Sequence, residues 1–134
     1  MKRFLIILFV VIAITIMFTG CTKMEKGQTG TETAYKKISA QEAKEIIESE
    51  DVIILDVRTQ EEYNEGHIEN SVLLPVNDIS SKAEEILTDK DAKILVYCRS
   101  GNRSATASKQ LIKMGYTNVY DFGGIISWPY EIVK

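Results

Sequence analysis

Beyond residue 35, short continuous apolar runs alternate with segments whose apolar residues recur at helical spacing. Residues 52–55, 71–74 and 94–97 read as strands, the first running into Asp56 and the second stopped by Pro75. Lys37-Ile38 predicts a short first strand, and residues 118–120 a last one. Between them, Ser39-Ala40-Gln41-Glu42 is a capping box that opens a helix with Ala43, Ile46 and Ile47 on its apolar face. Residues 60–64 predict a short helix closed near Gly66, and residues 81–87 a helix with Ala83, Ile86 and Leu87 turned inward. Residues 105–114 predict another, with Gly115 as its C-cap. Apolar strands separated by helices imply an α/β fold. Its central sheet should be mostly parallel, with about five strands and helices on both faces.

The first 21 residues break this pattern. Lys2 and Arg3 precede an unbroken stretch of apolar residues and threonine over 4–18, and Thr19-Gly20 leads into Cys21. A charged start, an apolar middle and small residues before a cleavage point make an export signal. The apolar stretch is short of the roughly 20 residues that span a bilayer. The end of the segment resembles the lipobox of bacterial lipoproteins, although Phe18 stands where leucine is usual. That resemblance implies a lipidated Cys21, whose acyl chains (palmitate among them) anchor the chain at about 0.8 kcal/mol per buried methylene. Residues 22–35 are rich in Thr, Gly, Lys and Glu without periodicity, and read as a flexible tether. The expected organisation is a signal over 1–20, a lipidated cysteine and tether over 21–35, and one domain over 36–134. The protein would then be extracytoplasmic, lipid-anchored to the bacterial cell membrane.

Composition narrows the function. Of 134 residues, 45% are hydrophobic and 26% charged, which is ordinary for a globular domain. Net charge is −3 and would fall to −5 without Lys2 and Arg3, so nucleic-acid binding has no electrostatic support. Cys21 and Cys98 each have a separate explanation, which argues against a disulfide between them. With one histidine and one mature free thiol, no zinc site can be assembled, and no metal or cofactor is implied.

The chemistry concentrates in Cys98-Arg99-Ser100-Gly101-Asn102-Arg103-Ser104, between the 94–97 strand and the following helix. The first N–H groups of a helix lack intrahelical partners and lie at the positive end of its dipole, which makes an anion site. Gly101 and Asn102 tolerate left-handed conformations, so the loop can curl its N–H groups inward. A cysteine at this position, flanked by Arg99 and Arg103, should ionise below the unperturbed value of about 8.5 and act as a nucleophile. Ligands of open α/β sheets bind beyond the C-terminal strand ends, where Cys98 falls.

This loop closely resembles the active-site loop of the single-domain rhodanese sulfurtransferases. Protein-tyrosine phosphatases place five residues between their cysteine and arginine, whereas four lie between Cys98 and Arg103. The narrower ring suits a sulfane sulfur better than a tetrahedral phosphate. Leu55-Asp56-Val57-Arg58 and Glu65-Gly66-His67-Ile68 resemble two further signatures of the family. After them, Glu69-Asn70-Ser71 departs from the usual Pro-Gly-Ala. The spacing suggests that Arg58 pairs with Glu62 or Glu65. Asp56 would face the active-site side of the sheet and hold the catalytic loop by hydrogen bonds. The only histidine, His67, is a structural residue in this pattern. Asp121-Phe122-Gly123-Gly124 followed by Trp128 resembles the C-terminal signature, its glycines letting the chain pass close to the loop. Trp128 would line the mouth of the loop or pack in the core.

The resemblance covers residue 37 to the C-terminus and implies a three-layer rhodanese-like fold. It implies a sulfurtransferase in which Cys98 takes sulfur from a small sulfur-containing anion such as thiosulfate. The Cys98 persulfide, held by N–H groups from Arg99 to Ser104, would pass it to cyanide or a thiol. Two alternatives remain at this point: a persulfide carrier or anion-sensing module without steady turnover, and a small cysteine-dependent phosphatase or arsenate reductase.

Overall fold

The computed structural model describes residues 35–134, so the leader, Cys21 and most of the tether lie outside the described residues. No helix among the described residues is long and apolar enough to cross a membrane.

Five strands make one sheet: β1 (Lys36–Lys37), β2 (Ile53–Asp56), β3 (Val72–Leu73), β4 (Ile94–Cys98) and β5 (Val119–Gly124). Their order is β1-β5-β4-β2-β3, and every pairing is parallel. The helices are α1 (Ala40–Ser49), α2 (Gln60–Glu65), α3 (Ile79–Ile86) and α4 (Asn102–Lys113), with 3-10 turns at Val76–Asp78 and Ile125–Ser127. The three-layer α/β expectation holds.

β4 is buried along its whole length because both faces of the sheet are covered. Side chains alternate across a strand, so Ile94, Val96 and Cys98 join one core with Ile79 and Ala83 of α3 and Ala107 and Leu111 of α4. Leu95 and Tyr97 face the other way, into a core with Ala43 of α1, Ile68, Phe122 and Trp128. Phe122 and Trp128 are therefore core residues, their ring centroids 5.5 Å apart. Tyr97 is fully buried, and its hydroxyl accepts from the Ile68 N–H at 3.1 Å and pairs with Ser71 Oγ at 3.2 Å. Burial raises its pKa, so it stays a neutral tie between the sheet and the segment after His67.

The predicted capping box at Ser39 is present: Glu42 N–H donates to Ser39 Oγ, and Ser39 N–H to the Glu42 carboxylate at 2.7 Å. Other elements exceed expectation. α3 and α4 begin earlier than residues 81 and 105, and β5 continues through Asp121 to Gly124. That extension follows from tertiary pairing, since Gly124 aligns with Cys98 beyond an irregularity between Val96 and Cys98.

The topology itself marks a site. β2 connects outward to β3, while β4, its neighbour, connects the opposite way to β5. Loops leaving the C-terminal ends of two such strands diverge and open a crevice. Asp56 and Cys98 stand at those two ends.

Candidate functional site

β4 delivers Cys98 to the crevice, and the chain then turns through Arg99, Ser100 and Gly101 into α4. Gly101 is the N-cap with φ 107°, a left-handed conformation that glycine adopts without steric cost. The turn brings Gly101 N–H to Cys98 Sγ at 3.0 Å. The first intrahelical bond of α4 runs from Ala105 N–H to the Gly101 carbonyl at 3.1 Å. The N–H groups of Asn102, Arg103 and Ser104 precede that bond, at the positive end of the helix.

Glycine at 124 sets how closely the C-terminal segment packs on this loop. A Cβ there would fall 2.1 Å from the Arg99 carbonyl oxygen and 2.6 Å from Ser100 Cα. The same segment is tied down by Ile126 N–H donating to the Arg99 carbonyl at 3.2 Å. Ser104 Oγ donates to the Gly101 carbonyl at 2.9 Å and lies 3.3 Å from the Gly123 carbonyl. The Ser104 hydroxyl is therefore spent on holding the loop, and only its N–H can serve an anion. Arg99, Ser100 and Asn102 are exposed around the rim, whereas Cys98 is fully buried at the floor.

The second loop corrects two expectations. Arg58 does not pair with Glu62 or Glu65. It folds back on Asp56, with Nε 3.0 Å from both carboxylate oxygens and Nη2 2.7 Å from Oδ2. Asp56 also accepts the Arg58 N–H at 3.0 Å, and among the described residues no hydrogen bond joins it to the 98–104 loop. Its burial explains this: a fully buried carboxylate takes the nearest bidentate cation. Burial works against the Arg58 charge, but Asp56 outweighs it and leaves the guanidinium pKa raised. Arg58 Nη2 also donates to the Gly66 carbonyl at 2.8 Å, fastening the segment before His67.

Glu62 binds Arg103 instead, across the crevice. Oε2 accepts from Nη1 at 2.6 Å and Oε1 from Nη2 at 2.8 Å. Glu62 is also N3 of a capping box on Thr59, whose N–H reaches Oε2 at 3.0 Å. Arg103 chiefly, assisted by Thr59, lowers the Glu62 pKa to about 2 against the opposing effect of burial. Sequence reasoning missed this contact because Glu62 and Arg103 are 41 residues apart. The Thr59-Gln60-Glu61-Glu62 pattern was a signal that at least fixed where the carboxylate turns.

His67 lies apart from the thiol chemistry. Its ring stacks on Tyr63 with centroids 3.7 Å apart, Nδ1 is 2.9 Å from the Tyr63 carbonyl, and its backbone bridges to Val133. No cluster of three or more His, Cys, Asp or Glu side chains suited to a metal occurs among the described residues.

The family model of the rhodanese-like domain matches residues 39–129. Thiosulfate sulfurtransferase GlpE of Coxiella burnetii is 37% identical over 95 residues, spanning 70% of this chain and 87% of its own. Among solved structures, a rhodanese-related protein of Thermoplasma volcanium matches with a TM-score of 0.65 and 35% identity, over 74% of this chain and 98% of its own. A rhodanese with anions from E. coli matches with a TM-score of 0.59 and 30% identity, over 63% and 99%.

Proposed function

The chain belongs to the rhodanese-like family, whose relatives include named sulfurtransferases, and from that premise we propose that it transfers a sulfane sulfur through a persulfide on Cys98. The observation that carries this reading is the Cys98 sulfur itself, buried at the floor of a short loop and accepting the Gly101 N–H at 3.0 Å. A reagent must push its reacting atom down into this ring. The terminal sulfur of thiosulfate is slender enough to enter, whereas a phosphorus is shielded by its own oxygens.

In the first step the Cys98 thiolate attacks the outer sulfur of thiosulfate. The new S–S bond forms as the old one breaks, and sulfite leaves with the electron pair. Gly101 N–H and the free N–H groups at the start of α4 then stabilise the charge on the outer sulfur of the persulfide. In the second step cyanide or a thiolate attacks that sulfur, and Cys98 leaves as thiolate. The exposed Arg99 draws the anionic donor toward the rim. No step needs a cofactor.

The direct test is intact mass spectrometry before and after thiosulfate, together with sulfite assay. A gain of one sulfur on Cys98, lost again on adding cyanide, is the expected result. Aryl phosphate hydrolysis with no such gain would overturn the reading.

We also infer that export and lipidation at Cys21 hold the domain outside the bacterial cytoplasm, with residues 22–35 as spacer. The support is the charged, apolar and small-residue pattern of the first 21 residues. Metabolic acyl labelling should mark the wild-type chain and spare Cys21→Ala, with sulfur transfer unchanged in the variant. Absence of label on the wild type would refute the anchor.

A further inference from the structure

The charges around Cys98 are unequally available. Arg58 is matched by Asp56 and Arg103 by Glu62, each pair at short range. Arg99 is exposed and has no ion-pair partner among the described residues. Arg103 lies in the first turn of α4, at the positive end of the helix and beside the loop that carries Cys98. It would therefore be a strong oxyanion ligand if it were free, since a guanidinium fork binds such groups through two parallel bonds. Glu62 occupies that fork. Both Glu62 oxygens are engaged by Arg103, and one is also held by the Thr59 N–H, so the carboxylate is fixed from its own helix.

We propose that Glu62 is a specificity-determining positioning residue: by occupying the Arg103 fork it keeps oxyanions weakly held, so that a sulfane sulfur can enter the ring and sulfite can leave it. The substrate class here rests on the sulfur-transfer reading, whereas the restraint on Arg103 does not. The pair is suited to such a role because its side chains are 23% and 32% exposed, open to competition from an arriving anion. The Asp56–Arg58 pair, at 0% and 6%, is closed to it.

Glu62→Gln tests the idea while preserving the helix start, because glutamine also serves at N3 of a capping box. Inorganic phosphate is titrated into the full-length protein, and the amide NMR shifts of residues 99–104 are followed. Freed Arg103 should bind phosphate up to about fivefold more tightly in the variant, the most that release from a partly exposed ion pair can return. Thiosulfate KM and the inhibition constant for sulfite should fall together. In an Arg103→Gln background, Glu62→Gln should no longer produce the gain. If Glu62→Gln does not fold, Glu62→Asp, which draws the carboxylate back by one methylene, carries the same comparison with a smaller gain. Unchanged phosphate affinity in a folded variant, or a full gain without Arg103, would overturn the proposal. Phosphate binding needs no turnover, so failure of Cys98 to form a persulfide would be read separately.

Discussion

Two arginine–carboxylate pairs flank the same thiol, and they are built differently. Asp56–Arg58 is local, two residues apart, and almost wholly buried at the end of β2. Glu62–Arg103 spans 41 residues, joins α2 to α4 and stays partly exposed. A buried pair cannot exchange partners without stranding a charge, so it acts as framework. A partly exposed pair can open toward water or a ligand at modest cost, so it sits where charge has to be adjustable. One crevice thus uses the same chemistry once for rigidity and once for selectivity.

Removing the thiol should separate function from both pairs. Cys98→Ser is expected to abolish sulfur transfer, because a serine hydroxyl is not ionised near neutral pH. Both pairs and the Gly101 N–H bond can persist, so the urea midpoint should stay close to that of the wild type. Transfer surviving in the variant would remove Cys98 as nucleophile.

Breaking the buried pair should do the reverse, costing the fold. Asp56→Ala leaves Arg58 buried and uncompensated, at a loss of about 3–5 kcal/mol. That is a large part of the ~5–15 kcal/mol by which domains are ordinarily stable. Replacing both partners, Asp56→Leu with Arg58→Met, should recover much of it, since no unpaired charge remains. Equilibrium urea unfolding decides. A loss below ~1 kcal/mol for Asp56→Ala would show that water reaches Arg58 and that the pair is not framework.

Much of this was legible in the sequence because the signals are local. The Ser39–Glu42 capping box, the continuous apolar run of β4 and the Cys98–Gly101 turn depend on residues within a few positions of each other. The burial of the central strands follows from such runs once both faces need covering, whereas the strand order does not. The pairing of charges was not legible. Spacing made Glu62 a partner for Arg58, but the burial of Asp56, a tertiary property, redirected Arg58 two residues back. Glu62 was then left for Arg103, which only the sheet topology brings near. The extension of β5 was hidden for a similar reason. Asp121 and two glycines have low strand propensity, and the Cys98–Gly124 register overrides it.

The smallest effect separates the two pairs most cleanly, through pH. Folding lowers the Glu62 pKa from 4.5 to about 2, chiefly through Arg103. The folded state therefore binds fewer protons than the unfolded state between these values. The contribution is fully present above pH 4.5, shrinks as pH falls, and is gone near pH 2. Partial exposure screens the pair and limits its worth to ~1 kcal/mol or less. Wild-type stability should thus fall more steeply than that of Glu62→Gln between pH 4.5 and 2, and the two should run in parallel above pH 5. Raised salt should narrow the difference, as screening does for exposed charges. Urea midpoints at pH 7, 4 and 2.5, at low and high salt, provide the measurement. Parallel acid curves for the two proteins would mean that solvent already outcompetes Arg103 for Glu62, and the contrast between the pairs would then be one of rigidity alone.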